Sequence, residues 1–168
     1  MPSKLGRPTT QRMAIVKNQA SYLLWYGRIE TTLTRAKSVS SYTEKLLTAA
    51  INSYTENVKV VKTRKDKKGK EIKVEITNDG PKKLAARRKL MSKLYDIQEV
   101  RGESEAYGDY MRRIGDVKHP LIEKIFNDYA PKYDKRRQDL GQGGGYTRIV
   151  KLGQRNGDAA EAVILELV

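Results

Sequence analysis

Residues 20–37 read Ala20-Ser21-Tyr22-Leu23-Leu24-Trp25-Tyr26-Gly27-Arg28-Ile29-Glu30-Thr31-Thr32-Leu33-Thr34-Arg35-Ala36-Lys37, and the hydrophobic period changes twice within them. Ahead of Gly27, Ala20, Leu23 and Leu24 continue a three- and four-residue spacing begun by Met13 and Val16. That spacing predicts an amphipathic helix over 10–26, with Thr9 or Thr10 as its cap and Gly27 as its stop. Beyond Gly27, Ile29, Thr31 and Leu33 alternate with Arg28, Glu30 and Thr32 in a β-branched run, which predicts a short strand. From Thr34 the helical stripe returns in Ala36, Val39, Thr43, Leu46, Leu47 and Ala50, through about Asn52.

Further along, residues 57–64 and 70–77 flank Lys65-Asp66-Lys67-Lys68-Gly69, and Ile72, Val74 and Ile76 alternate with charge. This predicts a basic β-hairpin. Asn78-Asp79-Gly80-Pro81 reads as a turn and helix start. In the helix that follows, Leu84, Met91 and Tyr95 are expected to face the core, with Lys82, Lys89 and Lys93 as a basic ridge opposite. Residues 96–119 are irregular and mixed in charge, with a short helix expected around Glu105–Ile114. Pro120 opens a helix carrying Leu121, Ile122, Ile125, Phe126 and Tyr129, and Pro131 is expected to end it. A glycine-rich passage at 141–145 leads into strands at 146–152 and 162–168, the second with Val163, Leu165 and Leu167 on one face.

The 168 residues carry 34 Lys and Arg against 20 Asp and Glu, a net charge of +14. The excess is local: +6 falls in residues 1–53 and +8 in 54–101, while 102–168 is neutral. Such asymmetry suggests a basic face that meets a polyanion, nucleic acid first, although a basic surface that serves only solubility has the same composition. The absence of cysteine excludes disulfide scaffolds, thiolate metal sites and cysteine nucleophiles. No apolar run is long enough for a membrane span, and the polar start predicts a soluble chain that is not exported.

Catalytic signatures are missing. The glycine run lacks the Lys-Ser/Thr of a phosphate-binding loop and precedes a strand, so a close-approach turn is expected there. His119 is the single histidine, set beside Pro120, and reads as a surface or capping residue. The carboxylates of 99–139, interspersed with Arg112, Arg113, Arg136 and Arg137, suit ion pairs better than a metal cluster. Tyr22, Trp25, Tyr26, Tyr42 and Tyr54 lie near basic residues and are either base-stacking rings or the rim of the core.

Several motifs together carry a resemblance. Leu5-Gly6-Arg7, Gln11-Arg12, Gly27 to Leu33, Arg35-Ala36-Lys37 and Glu44-Lys45-Leu46 resemble the first half of the bacterial large-subunit ribosomal protein seventeen family. Leu84 to Arg88, Ile125 to Tyr133, Gly144 to Gly153, Arg155, Gly157 to Ala160 and Val163 to Val168 resemble its second half, in the same order. The resemblance covers 4–50, 84–94, 120–133 and 144–168. It leaves 53–81 as an inserted basic hairpin and 96–119 as a second, longer connection within a single domain over 1–168.

What the resemblance implies is an α+β fold, a small mixed sheet packed against helices. It also implies a cytoplasmic protein of the large ribosomal subunit that binds ribosomal RNA near the polypeptide exit tunnel, beside neighbouring large-subunit proteins. No enzymatic activity, cofactor, metal, small-molecule substrate, membrane or homo-oligomer is expected. The candidate RNA-binding residues are Lys4, Arg7, Arg12, Lys17, Arg28, Arg35, Lys37, Lys82, Arg87, Arg88 and Lys89, with Arg148, Lys151 and Arg155 as a second patch. A DNA-binding regulator, which needs a base-reading helix, and an RNA-acting enzyme, which needs a convergent acid–base or metal cluster, are the competing classes.

Overall fold

The computed structural model describes residues 4–65, 71–115 and 117–168. Residues 66–69 of the expected hairpin turn lie outside these, as do Met1-Pro2-Ser3.

Helix α1, Thr9–Tyr26, turns Val16, Ala20, Leu23 and Leu24 inward, as their spacing requires. It stops where Gly27 takes φ +82° and donates its N–H to the Leu23 carbonyl at 2.8 Å, a left-handed closure that suits a residue without Cβ. Strand β1, Arg28–Thr32, passes directly into α2, Leu33–Ile51, whose Ala36, Val39, Thr43, Leu46, Leu47, Ala50 and Ile51 are buried. Strands β2, Asn57–Lys65, and β3, Glu71–Asp79, form a separate antiparallel ribbon running from Asn57 opposite Asp79 to Lys65 opposite Glu71.

Helix α3, Pro81–Lys93, corrects the expected facing. Leu84, Met91 and Tyr95 are exposed, whereas Leu90 and, just past the helix end, Leu94 are buried. The inward side is completed by Ala86 and by Arg87, whose guanidinium lies 5.1 Å from the centre of the Phe126 ring. A partnered arginine with its aliphatic stem thus outcompetes the leucine for the inner position.

Helix α4, Tyr107–Ile114, occupies the second connection close to where a helix is expected. Helix α5, Pro120–Lys124, runs on through a π-helical turn, Ile125–Tyr129, into α6, Ala130–Leu140. Pro131 therefore does not end the helix. At the π turn the Ala130 N–H reaches back five residues to the Ile125 carbonyl, and this widening accommodates a ring that has no N–H to offer. Burial of Tyr133, fully enclosed between Tyr129 and Tyr146, favours continuing the helix.

Strands β4, Thr147–Gln154, and β5, Glu161–Leu167, complete a three-stranded sheet in the order β1–β5–β4. The α+β class is as expected, but the sheet is antiparallel in both pairings, where a mixed one was anticipated. The central strand β5 runs antiparallel to β1 and is joined to β4 by a tight connection, so no crossover is needed. Val163 and Leu165 are fully buried against the helices, with Ile29 and Ile149 beside Leu165. Among the described residues, no helix is long and apolar enough to cross a membrane.

Candidate nucleic-acid interface

Two adjoining grooves open where α2 begins. One, of about 570 Å³, is lined by Lys4, Thr32, Thr34, Arg35, Arg155 and Asp158. The other, of about 210 Å³, shares Thr32, Arg35 and Arg155 and adds Gln19, Glu30 and Thr31. The β1-to-α2 junction supplies the threonines and Arg35, while the β4–β5 connection brings Arg155 to them from more than a hundred residues away. Arg155 is oriented by Asp158, with Nε and Nη2 at 3.1 and 2.7 Å from its two carboxylate oxygens. The Ala160 N–H and then the Arg155 hydrogen bond hold the Asp158 carboxyl below its ordinary range, so it remains an anion. Hydroxyls, a backbone turn and three cations in an open concavity suit a phosphate-bearing chain.

A third hollow, of about 690 Å³, lies between α2 and α3. Lys37, Lys45 and Lys89 line it together with Ser40, Ser41 and Thr48. Its one carboxylate, Glu44, is already occupied, accepting from the Thr147 hydroxyl at 2.9 Å and the Thr147 N–H at 3.3 Å. The three ammonium groups therefore give the hollow a positive potential. Lys45 escaped the sequence reading, although Lys37, Ser41 and Lys45 follow one another at four-residue spacing on the helix.

The other candidates are dispersed. Arg7 is exposed, Arg12 Nη2 lies 3.4 Å from Thr9 Oγ1, and Lys17 donates to the Ser92 carbonyl at 3.3 Å. Arg28 and Arg148 flank Glu166 across the outer face of the sheet, and Arg148 binds that carboxylate through Nε at 2.8 Å and Nη2 at 2.5 Å. Lys151 pairs with Glu161 at 3.2 Å. Lys82 and Arg88 are exposed on α3 with Lys89. Arg87 stands apart, its side chain only 20% exposed, between Asp79 at 2.5 Å and Glu123. It ties the foot of the hairpin to α5 and offers little to a ligand.

The aromatic residues also divide. Tyr42 donates to the Lys93 carbonyl and Tyr54 to the buried Asp134, both at 2.8 Å, while Lys124 sits over the half-buried Trp25 ring at 5.4 Å. These three belong to the core rim. Tyr22 and Tyr26 are exposed and lie nearly parallel, 5.9 Å between ring centres, so of the five they alone present faces to a base.

His119 precedes α5 and contacts Asp96 at 3.2 Å, with its carbonyl accepting from Ile122 and Glu123. Arg112 and Arg113 pair with Asp109, Glu99 and Glu105, and Arg137 pairs with Asp134, whereas Arg136 donates to the Gly145 carbonyl. Among the described residues, no group of three or more His, Cys, Asp or Glu is placed to hold a metal ion.

Comparison with known proteins extends these observations. The family model described as "Ribosomal protein L17" matches residues 15–168. The large ribosomal subunit protein bL17 of Acetivibrio thermocellus is 37% identical over 189 aligned positions, covering 98% of this chain and 97% of that protein. The bL17 proteins of Lachnospira eligens and Ruminiclostridium cellulolyticum are 37% and 40% identical with the same coverage of both chains. The chain therefore belongs to the ribosomal protein L17 family, the structural and non-enzymatic proteins of the large ribosomal subunit.

Proposed function

We propose that the chain binds folded large-subunit ribosomal RNA and pins separate segments of it together. The observation that carries this reading is the convergence of Lys4, Arg35 and Arg155, from three distant parts of the sequence, on grooves lined by threonine hydroxyls. The hollow of Lys37, Lys45 and Lys89 supplies a second cationic contact. Two such contacts on one rigid core can hold two stretches of backbone at a fixed spacing, with little reading of individual bases.

The family resemblance further supports a position near the polypeptide exit tunnel, in the ribosome of the bacterial cytoplasm, beside other large-subunit proteins and as a single copy. Binding to large-subunit RNA fragments, measured from about 50 to 300 mM salt, tests the phosphate mechanism. Each phosphate neutralised adds roughly 0.7 to 0.9 to the log–log slope, so a slope of about −3 or steeper is expected. A flat dependence refutes it. Stoichiometric co-sedimentation with large subunits after a high-salt wash tests the assembly itself.

A further inference from the structure

The second connection carries an amphipathic helix that, among the described residues, packs extensively against no other helix or strand. In α4, Tyr107, Tyr110, Met111 and Ile114 recur at i, i+3, i+4 and i+7, one continuous apolar stripe. None of the four is buried, with Tyr107 65% and Met111 47% exposed, and α4 takes part in none of the principal helix and strand packings. Its position is set by polar tethers. Arg113 pairs with Glu99 and Glu105 and reaches the Val100 carbonyl, while the Tyr110 hydroxyl donates to the Glu99 carbonyl at 2.9 Å. The helix is thus held by ion pairs, and among the described residues Tyr107 and Met111 of its stripe stay exposed while Tyr110 and Ile114 are half-buried.

The charge of the connection tells what kind of partner fits. Residues 96–119 hold six Asp and Glu against four Lys and Arg, a net −2 in a chain of +14. Arg112 and Arg113 are paired within the connection with Asp109, Glu99 and Glu105, and the net −2 counts both sides of those pairs. Phosphate backbone gains little here and is repelled by the surplus carboxylates. A protein groove of apolar floor and basic rim is complementary on both counts. We propose that α4 is a docking helix for a neighbouring protein of the large subunit, inserting Tyr107, Met111 and Ile114 into such a groove. This rests on the ribosomal reading above.

The test places a photo-crosslinking benzoylphenylalanine at Tyr107 of the full chain, assembles it into large subunits, washes them at high salt and irradiates them. Sedimentation is scored first, and failure of the labelled chain to enter the particle refutes the ribosomal reading and this inference with it. Given entry, the expected product is one defined protein adduct. Its yield should fall roughly tenfold when Met111→Glu is added and stay unchanged with Arg112→Gln, since a single buried anchor commonly dominates such an interface. A crosslink to RNA, to a second copy of the chain or to nothing overturns the docking helix while leaving assembly intact. So does a protein adduct indifferent to Met111→Glu. Because α4 supports no core residue, these variants should melt with the wild type, and circular dichroism of the free protein verifies that.

Discussion

Replacing Arg87 with Met removes the guanidinium that joins the hairpin foot to α5 while keeping an unbranched stem against Phe126. Both side chains of the Arg87–Asp79 pair are 20% exposed, so its charge-assisted hydrogen bond should contribute about 1.5 kcal/mol. Glu123 is 36% exposed, and water screens that contact to about 0.5 kcal/mol. The cation over Phe126 at 5.1 Å adds about 0.5 kcal/mol. Lys83, at 3.2 Å, remains to partner Asp79, which limits the penalty of an abandoned carboxylate. With methionine recovering part of the packing, the expected loss is about 2 kcal/mol, or roughly 4 to 8 °C in Tm for a chain of this size.

Urea unfolding followed by Trp25 fluorescence measures that loss. It should also depend on pH. Burial disfavours the charged form of Asp79, but hydrogen bonds from Arg87 and Lys83, and their charges, outweigh it and hold the carboxyl below its ordinary 3.8. A carboxyl depressed in the folded state contributes stability that is present above its unfolded value and is lost as the pH falls through its folded one. The gap between wild type and Arg87→Met should therefore persist above pH 3.8 and narrow below it, the contact with Phe126 remaining. An unchanged stability together with a salt slope lowered by about one unit in RNA binding would refute the brace and make Arg87 a phosphate contact.

Truncating Leu47, 1% exposed in the C-terminal part of α2, to Ala should cost about 3 kcal/mol in urea unfolding, and a loss under about 1 kcal/mol would contradict the packing described. Tyr54→Phe removes a hydrogen bond to Asp134, which keeps Arg137 and Gln138 as partners, so a loss of about 1 kcal/mol is expected in thermal melts. Arg35→Ala should lower the RNA salt slope by about one unit and shift Tm by no more than about 1 °C. Unaltered RNA affinity would remove Arg35 from the interface.

The helices and strand of residues 9–51 were legible because local period and the Gly27 stop agree with the final packing. The facing of α3 was not, because it turns on Arg87 meeting Glu123, thirty-six residues on. Pro131 is a stop signal that the π turn and the burial of Tyr133 override. The direction of the sheet depended on β5 finding β1, a pairing that leaves no local mark. For the site, residue types were readable and their grouping was not. Lys4, Arg35 and Arg155 look equivalent in the sequence to Arg7 or Arg148, and only the β4–β5 turn makes them neighbours.

The placement of β5 also sets an order of events during synthesis. Since Ile29 pairs with Leu165 and Thr31 with Val163, β1 has no strand partner until residues 161–167 have left the ribosome that makes them. Helices α1 and α2 can pack together far earlier, so a helical nucleus precedes the sheet, and closure over some 130 residues is the late, slow step. The grooves holding Lys4, Arg35 and Arg155 exist only after that closure. A nascent chain therefore carries its positive charge long before it has the shape to place it.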